Sequence, residues 1–197
     1  MLLSHLHLDH LDLPSLRSLD PEIRLLVPRG AGDFVRQAGF ANADEVAAGD
    51  IVDVNGLSVA GTRAVHGGGR RPLGPDADAI GFVVRGERSV YFAGDTDLFP
   101  EMAELAPGLD LALLPVWGWG PTLGGGHLDP HAAARAAALL RPKIAIPIHW
   151  GTLYPRGLAR WKPGPLHDPP RRFAAQVGEV APGVEVRVLE PGEALEL

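Results

Sequence analysis

The run Ser4-His5-Leu6-His7-Leu8-Asp9-His10 constrains this chain more than any other stretch, because it sets four ligand-type side chains within six residues. In an extended segment His5, His7 and Asp9 point to one side, and Leu6 and Leu8 point to the other. That alternation predicts a site on one side and a core on the other. If the chain then turns into a helix, His10 swings round to the same site. The bland reading is a solvated polar segment or buried structural histidines, but ligand-type residues at this density and spacing are rarely decorative.

Cysteine is absent, so disulfides and thiolate metal sites are both excluded. With 18 Lys+Arg against 24 Asp+Glu the net charge is −6, and basic residues form only short pairs such as Arg70-Arg71 and Arg171-Arg172. This argues against DNA or a membrane surface as partner and for a small-molecule substrate. A chain 46% hydrophobic and 21% charged folds as a globular body, with one domain over residues 1–197 as the expectation. The opening Met1-Leu2-Leu3-Ser4 carries no basic segment or apolar run of a signal peptide, and no apolar stretch is long enough to span a bilayer, so the location expected is cytoplasmic.

Short apolar runs at Ile23–Val27, Leu57–Val65, Ala79–Val84, Ser89–Ala93, Leu111–Val116, Ile144–Ile148 and Val184–Leu189 predict strands. The clearest helix has Asp129 as N-cap and Pro130 in its first turn, runs through the Ala-rich His131–Leu140 and stops before Pro142. Further helices are expected at Leu13–Leu19, Gly32–Ala38, Leu98–Leu105 and Pro170–Val180, with a hairpin turn at Arg85–Arg88 and a long loop at Tyr154–Pro170. This order of elements predicts an α/β layered domain.

Ser4 to His10 match an HxHxDH signature, and from there the chain resembles the metallo-β-lactamase superfamily. His66 at the end of the second predicted strand, Asp95 in Tyr91-Phe92-Ala93-Gly94-Asp95-Thr96 and His149 in Ile146-Pro147-Ile148-His149-Trp150-Gly151-Thr152 are similar to the family's later motifs. The resemblance implies an αββα sandwich and a dinuclear centre: His5, His7 and His66 on one metal, Asp9, His10 and His149 on the second, and Asp95 between them. Ligands of this type suit two Zn2+, with Mn2+ or Fe also compatible. Two such ions ~3.5–4 Å apart could share a hydroxide, which the resemblance implies would be the attacking species. A net site charge of about +1 would favour anionic or oxyanion-forming substrates.

Gly126-His127-Leu128-Asp129-Pro130 ahead of the Ala-rich helix resembles the branch of ascorbate-6-phosphate lactonase-like and N-acyl-phosphatidylethanolamine phospholipase D-like proteins. That resemblance gives His127 a role on the substrate oxyanion or leaving group, with Asp9 as the other catalytic residue. His131 and His167 have the plain readings, a helix residue and a residue of the proline-rich loop. Trp117 or Trp119 is expected to line an apolar pocket wall. Arg70 or Arg71 offers an anion contact, against the simpler reading of a solvated loop, and Asp12 is expected to support a ligand histidine.

Members of the superfamily normally carry two or more strands before HxHxDH, whereas only four residues precede His5 here. An alternative start codon misread as the true start, or a shortened sheet whose edge is covered or paired, as a homo-oligomer would do, would account for the difference. The function expected is a dinuclear metal-dependent hydrolase of an ester, lactone, amide or phosphodiester. The alternatives are a ribonuclease Z-like nuclease and a metal-binding protein with little catalysis.

Overall fold

The computed structural model describes residues 1–197 apart from 71, 73 and 106. In chain order it contains a one-turn helix α1 (Leu13–Leu16), β1 (Leu25–Pro28), α2 (Gly32–Gln37), β2 (Ala43–Val46), β3 (Ile51–Val54), β4 (Leu57–Arg63), β5 (Ile80–Arg85) and β6 (Ser89–Phe92). It continues with β7 (Leu111–Pro115), α3 (Pro130–Leu140), β8 (Ile144–Ile148), α4 (Gly164–Val180) and β9 (Glu185–Val186), with 3₁₀ turns at Pro100–Glu104 and Leu158–Arg160.

Strands β1 and β2 pair in parallel as a small sheet, and Leu2 adds a single parallel bridge to Leu26. The other seven form one mixed sheet in the order β3-β4-β5-β6-β7-β8-β9, antiparallel as far as β6 and parallel from β6 to β9. Two antiparallel steps separate β4 from β6, so β4, β6, β7 and β8 all end on the same edge of this sheet. Their following loops therefore meet there, as they do in open α/β sheets.

Three apolar clusters stack these layers. Leu6, Leu16, Leu25, Val27, Val35 and Phe40 pack α1 and α2 on the outer face of the small sheet. Leu26, Val46, Val59, Ile80 and Phe82 join the two sheets face to face, which is why β1 is buried along its whole length. Beyond the large sheet, Tyr91, Leu114, Phe173 and the alanines 133, 134, 136 and 137 pack α3 and α4. These small side chains let α3 lie close to its neighbours. The result is the αββα sandwich implied by the resemblance.

Asp129 caps α3 as expected, its carboxylate accepting from the Ala132 amide at 2.7 Å. Other elements differ from expectation. Strands β2 and β3 were not anticipated, and Leu98–Leu105 forms a 3₁₀ turn rather than an α-helix. Helix α4 starts six residues before Pro170, so Pro169, Pro170 and His167 lie inside it rather than in a loop. The two prolines are the sixth and seventh residues of this helix, past its first turn, so each removes an N–H that a regular helix would use. Among the described residues no helix is long and apolar enough to cross a membrane.

Candidate metal centre

Residues 3–6 run extended between the two sheets, with Leu3 N–H donating to Leu26 O, Ile80 N–H to Ser4 O and Leu6 N–H to Gly68 O. The alternation then ends. His10 N–H and Leu11 N–H both donate to His7 O, at 3.0 and 2.8 Å, and this turn brings His10 back beside His5. It also overturns the expectation for Leu8. Leu6 is fully buried, whereas Leu8 leaves the strand pattern and is 65% exposed.

The remaining cluster residues come from the strand-end edge. His66 follows β4, Asp95 follows β6 and His149 is the first residue after β8. His149 has φ +62°, a left-handed backbone that costs a non-glycine residue roughly 1–2 kcal/mol and turns its ring into the cluster.

All seven residues implied as ligands come together. Potential donor atoms group as His5–His7–His66, His5–His10–Asp95 and Asp9–His10–His149, each set within 4.8 Å, and His127 forms a further group with His66 and Asp95. Asp95 is 2% exposed and lies centrally: its Oδ2 is 3.9 Å from Nε2 of His5, 3.3 Å from His10, 3.9 Å from His66 and 3.4 Å from His127. His149 Nε2 is 3.4 Å from Asp95 Oδ1 and 3.5 Å from Asp9 Oδ2.

The outer ring nitrogens are held in place. His66 Nδ1 faces Gly126 O at 2.8 Å and His149 Nδ1 faces Trp117 O at 3.1 Å. A carbonyl only accepts, so both Nδ1 atoms carry the proton and both Nε2 atoms are the ones aimed inward. The first meets His7 Nδ1 at 3.1 Å and the second meets His10 Nε2 at 3.0 Å. Ser4 Oγ stands 3.1 Å from Nδ1 of His5 and 3.3 Å from Nδ1 of His10, orienting both rings. At the centre, His5 Nε2 and Asp95 Oδ1 are buried without a hydrogen-bond partner. Converging imidazole nitrogens, buried carboxylate charge and unpartnered inner atoms fit a cation site.

Protonation follows burial and charge. Burial lowers the pKa of His7 and His66, and takes His5 to about 2, so these rings stay neutral. Hydrogen bonding to His149 is the main cause that takes Asp9 to about 2. For Asp95 burial pushes upward, but hydrogen bonds to His10 and His127 and the charge of neighbouring imidazoles outweigh it and hold the carboxyl low. The hydrogen bond to Asp95 raises His127.

Ser4 and the two carbonyls were not anticipated, although a polar residue directly before His5 was a readable signal for Ser4. Asp12 does not support a histidine. It caps α1, accepting from the Ser15 amide at 2.9 Å and the Ser15 hydroxyl at 2.6 Å. Arg70 is not a free anion contact either, since its Nη1 donates to Leu6 O at 3.2 Å and Leu11 O at 2.8 Å. Its guanidinium lies over the Phe34 ring, 5.4 Å from the centroid. Arg70 thus clamps both ends of the turn bearing His7, Asp9 and His10, while Arg71 lies outside the described residues. Trp119 lines a cavity of about 780 Å³ with His7, Asp9, Asp95 and His127. Trp117 instead donates its indole N–H to Gly120 O at 3.0 Å.

The Beta-lactamase superfamily domain family matches residues 1–150. A UPF0173 metal-dependent hydrolase of Aeropyrum pernix is 31% identical over 216 residues, covering 100% of this chain and 79% of that relative. One from Symbiobacterium thermophilum is 35% identical over 199 residues, covering 98% and 79%. Among solved structures, Igni18, a metallo hydrolase from the archaeon Ignicoccus hospitalis, superimposes with a TM-score of 0.74 at 28% identity, covering 98% of this chain and 76% of that one.

Proposed function

The chain belongs to the beta-lactamase superfamily, among its UPF0173 metal-dependent hydrolases, and from that premise we propose a two-metal hydrolase of an ester, lactone, amide or phosphodiester. His5, His7 and His66 would hold one cation, Asp9, His10 and His149 the other, and Asp95 would contact both. The observation that carries this reading is the convergence of the two groups about Asp95, with His5 Nε2 and Asp95 Oδ1 unpartnered between them. Imidazole and carboxylate without thiolate favour Zn2+, with Mn2+ or Fe also compatible. When bound, such a pair supplies Lewis-acid polarisation of the scissile group and makes an attacking water acidic near neutral pH.

The protein's own groups do the rest. Asp9 stays ionised and lines the cavity, where it orients the attacking water by accepting its proton in a hydrogen bond. His127 Nδ1 faces Gly125 O at 3.2 Å while Nε2 faces Asp95, so both nitrogens meet acceptors and the doubly protonated ring is favoured. Its Nε2–H then serves as donor to the developing oxyanion or as acid to the leaving group.

Metal analysis by mass spectrometry of protein purified without chelator, followed by assay on esters, lactones, amides and phosphodiesters, tests the reading. About two metals per chain and turnover are expected, with both reduced in Asp95→Ala. Full activity with Asp95→Ala, or two bound metals and no turnover of any substrate, would overturn it.

A further inference from the structure

The cavity narrows the substrate class of the proposed hydrolase, and this inference rests on that reading. Alongside Asp9, Asp95 and His127, the cavity is lined by Leu8, Trp119, Leu123 and Leu153. These side chains come from three separate segments: the turn after His7, the loop after β7 and the loop after β8. Leu8, Trp119 and Leu153 are 65%, 63% and 42% exposed. Isolated exposed apolar residues need no explanation, but here they line a single space together with residues of the polar cluster. A second recess of about 460 Å³ shares Leu8, Trp119 and Leu153 and adds Trp150, beside the polar Asp12, Ser15 and Thr152.

Charge points the same way. Asp9 and Asp95 are the acidic lining residues and belong to the cluster; among the described lining residues the cations are the His127 ring, turned onto Asp95, and Arg70. The Arg70 guanidinium is held by Leu6 O, Leu11 O and the Phe34 ring. An anionic tail on a substrate would lose water against leucine and tryptophan while both cations are already engaged. A hydrocarbon group would instead cover the walls and gain from its own burial.

We propose that the cavity selects an uncharged carboxylic ester, lactone or amide with an aliphatic or aryl acyl group, which packs on Leu8, Trp119, Leu123 and Leu153 while its carbonyl reaches the Asp95 cluster. The acyl group supplies binding and selectivity, and the cluster supplies the chemistry. Hydrolysis adds water across the acyl bond, giving the carboxylic acid and the released alcohol or amine.

The test uses the metal-loaded full chain with nitrophenyl acetate, butanoate and hexanoate, and with a nitrophenyl ester whose six-carbon acyl chain ends in a carboxylate. kcat/KM is expected to rise about two- to fourfold per methylene and to drop for the carboxylated chain. Trp119→Ala is expected to flatten the series. In parallel, ligand-observed NMR measures binding of 2-butanone, 2-hexanone and 2-octanone, uncharged carbonyl compounds that cannot be hydrolysed. Binding that strengthens along the ketones and weakens in Trp119→Ala supports the pocket even if no ester turns over, and in that case the hydrolase reading alone fails. Ester turnover independent of chain length, a preference for the carboxylated ester, or ketone binding without a length dependence overturns the proposal.

Discussion

Ser4 and Gly94 touch so closely that a Cβ built on Gly94 would lie 2.8 Å from the Cβ of Ser4. Gly94 also has φ +60°, a backbone region in which a side chain is strained. The chain thus brings the residue before His5 against the residue before Asp95, and glycine is what permits it. Gly94→Ala combines left-handed strain with overpacking, so a loss of about 2–4 kcal/mol is expected in urea unfolding of the metal-free protein. An unchanged unfolding midpoint would show that the two segments can separate freely.

Ser4→Ala removes the oxygen shared by Nδ1 of His5 and Nδ1 of His10. Both rings would lose the partner that sets their orientation, so metal affinity is expected to fall about 10- to 100-fold. Titration against a chelating indicator measures it, and Ser4→Thr is expected to restore most of the loss. Equal affinity in Ser4→Ala would assign the hydroxyl to packing only.

His127→Ala separates chemistry from binding. Metal content is expected to stay near the wild-type level while kcat falls about 100- to 1000-fold. An acid matters less when the leaving group is a nitrophenolate, so a defect that shrinks on activated esters identifies proton donation. A defect constant across substrates identifies oxyanion contact. Loss of metal would instead make His127 a ligand, consistent with its grouping beside His66 and Asp95.

Acid stability tests a contact at the opposite edge of the sheet. Asp110 accepts from Lys143 Nζ at 2.8 Å and from the Ser89 amide at 2.8 Å, and these bonds, that from Lys143 foremost, bring its carboxyl to about 2. A depressed carboxylate stabilises the fold above its unfolded pKa near ~3.9 and loses that contribution as pH falls towards about 2. Wild-type stability is therefore expected to decline more between pH 4 and pH 2 than that of Asp110→Ala, the two curves converging at the acid end. Parallel curves through that window would remove Asp110 as a contributor.

The sequence made the candidate site more legible than its setting. His5, His7, Asp9, His10, His66, Asp95 and His149 declare themselves because polar ligand types interrupt apolar runs or end them. Leu8 was misread because strand alternation was carried one step too far: a turn closed by His7 O ends it. Asp44 and Glu45 hid β2, since polar residues in its middle give no apolar run. Ile51 is 71% exposed in the edge strand β3, so no buried face marks it clearly. Pro169-Pro170 concealed the start of α4, because proline is weighed as a breaker wherever helix position is unknown. Arg70 looks like an anion contact until the fold brings Leu6 O and Leu11 O to it, a long-range pairing that local pattern does not encode.

The shared end of β4, β6, β7 and β8 has an evolutionary and engineering consequence. His66, Asp95 and His149 sit at or just beyond hydrogen-bonded strand ends, whereas Trp119, Leu123 and Leu153 belong to the connections that follow. Variation confined to residues 118–125 and 152–158 can therefore reshape what the cavity accepts without repacking either sheet. Selection for a new substrate preference has a short path in this architecture, because the adaptable part and the part that must not move are carried by different stretches of chain.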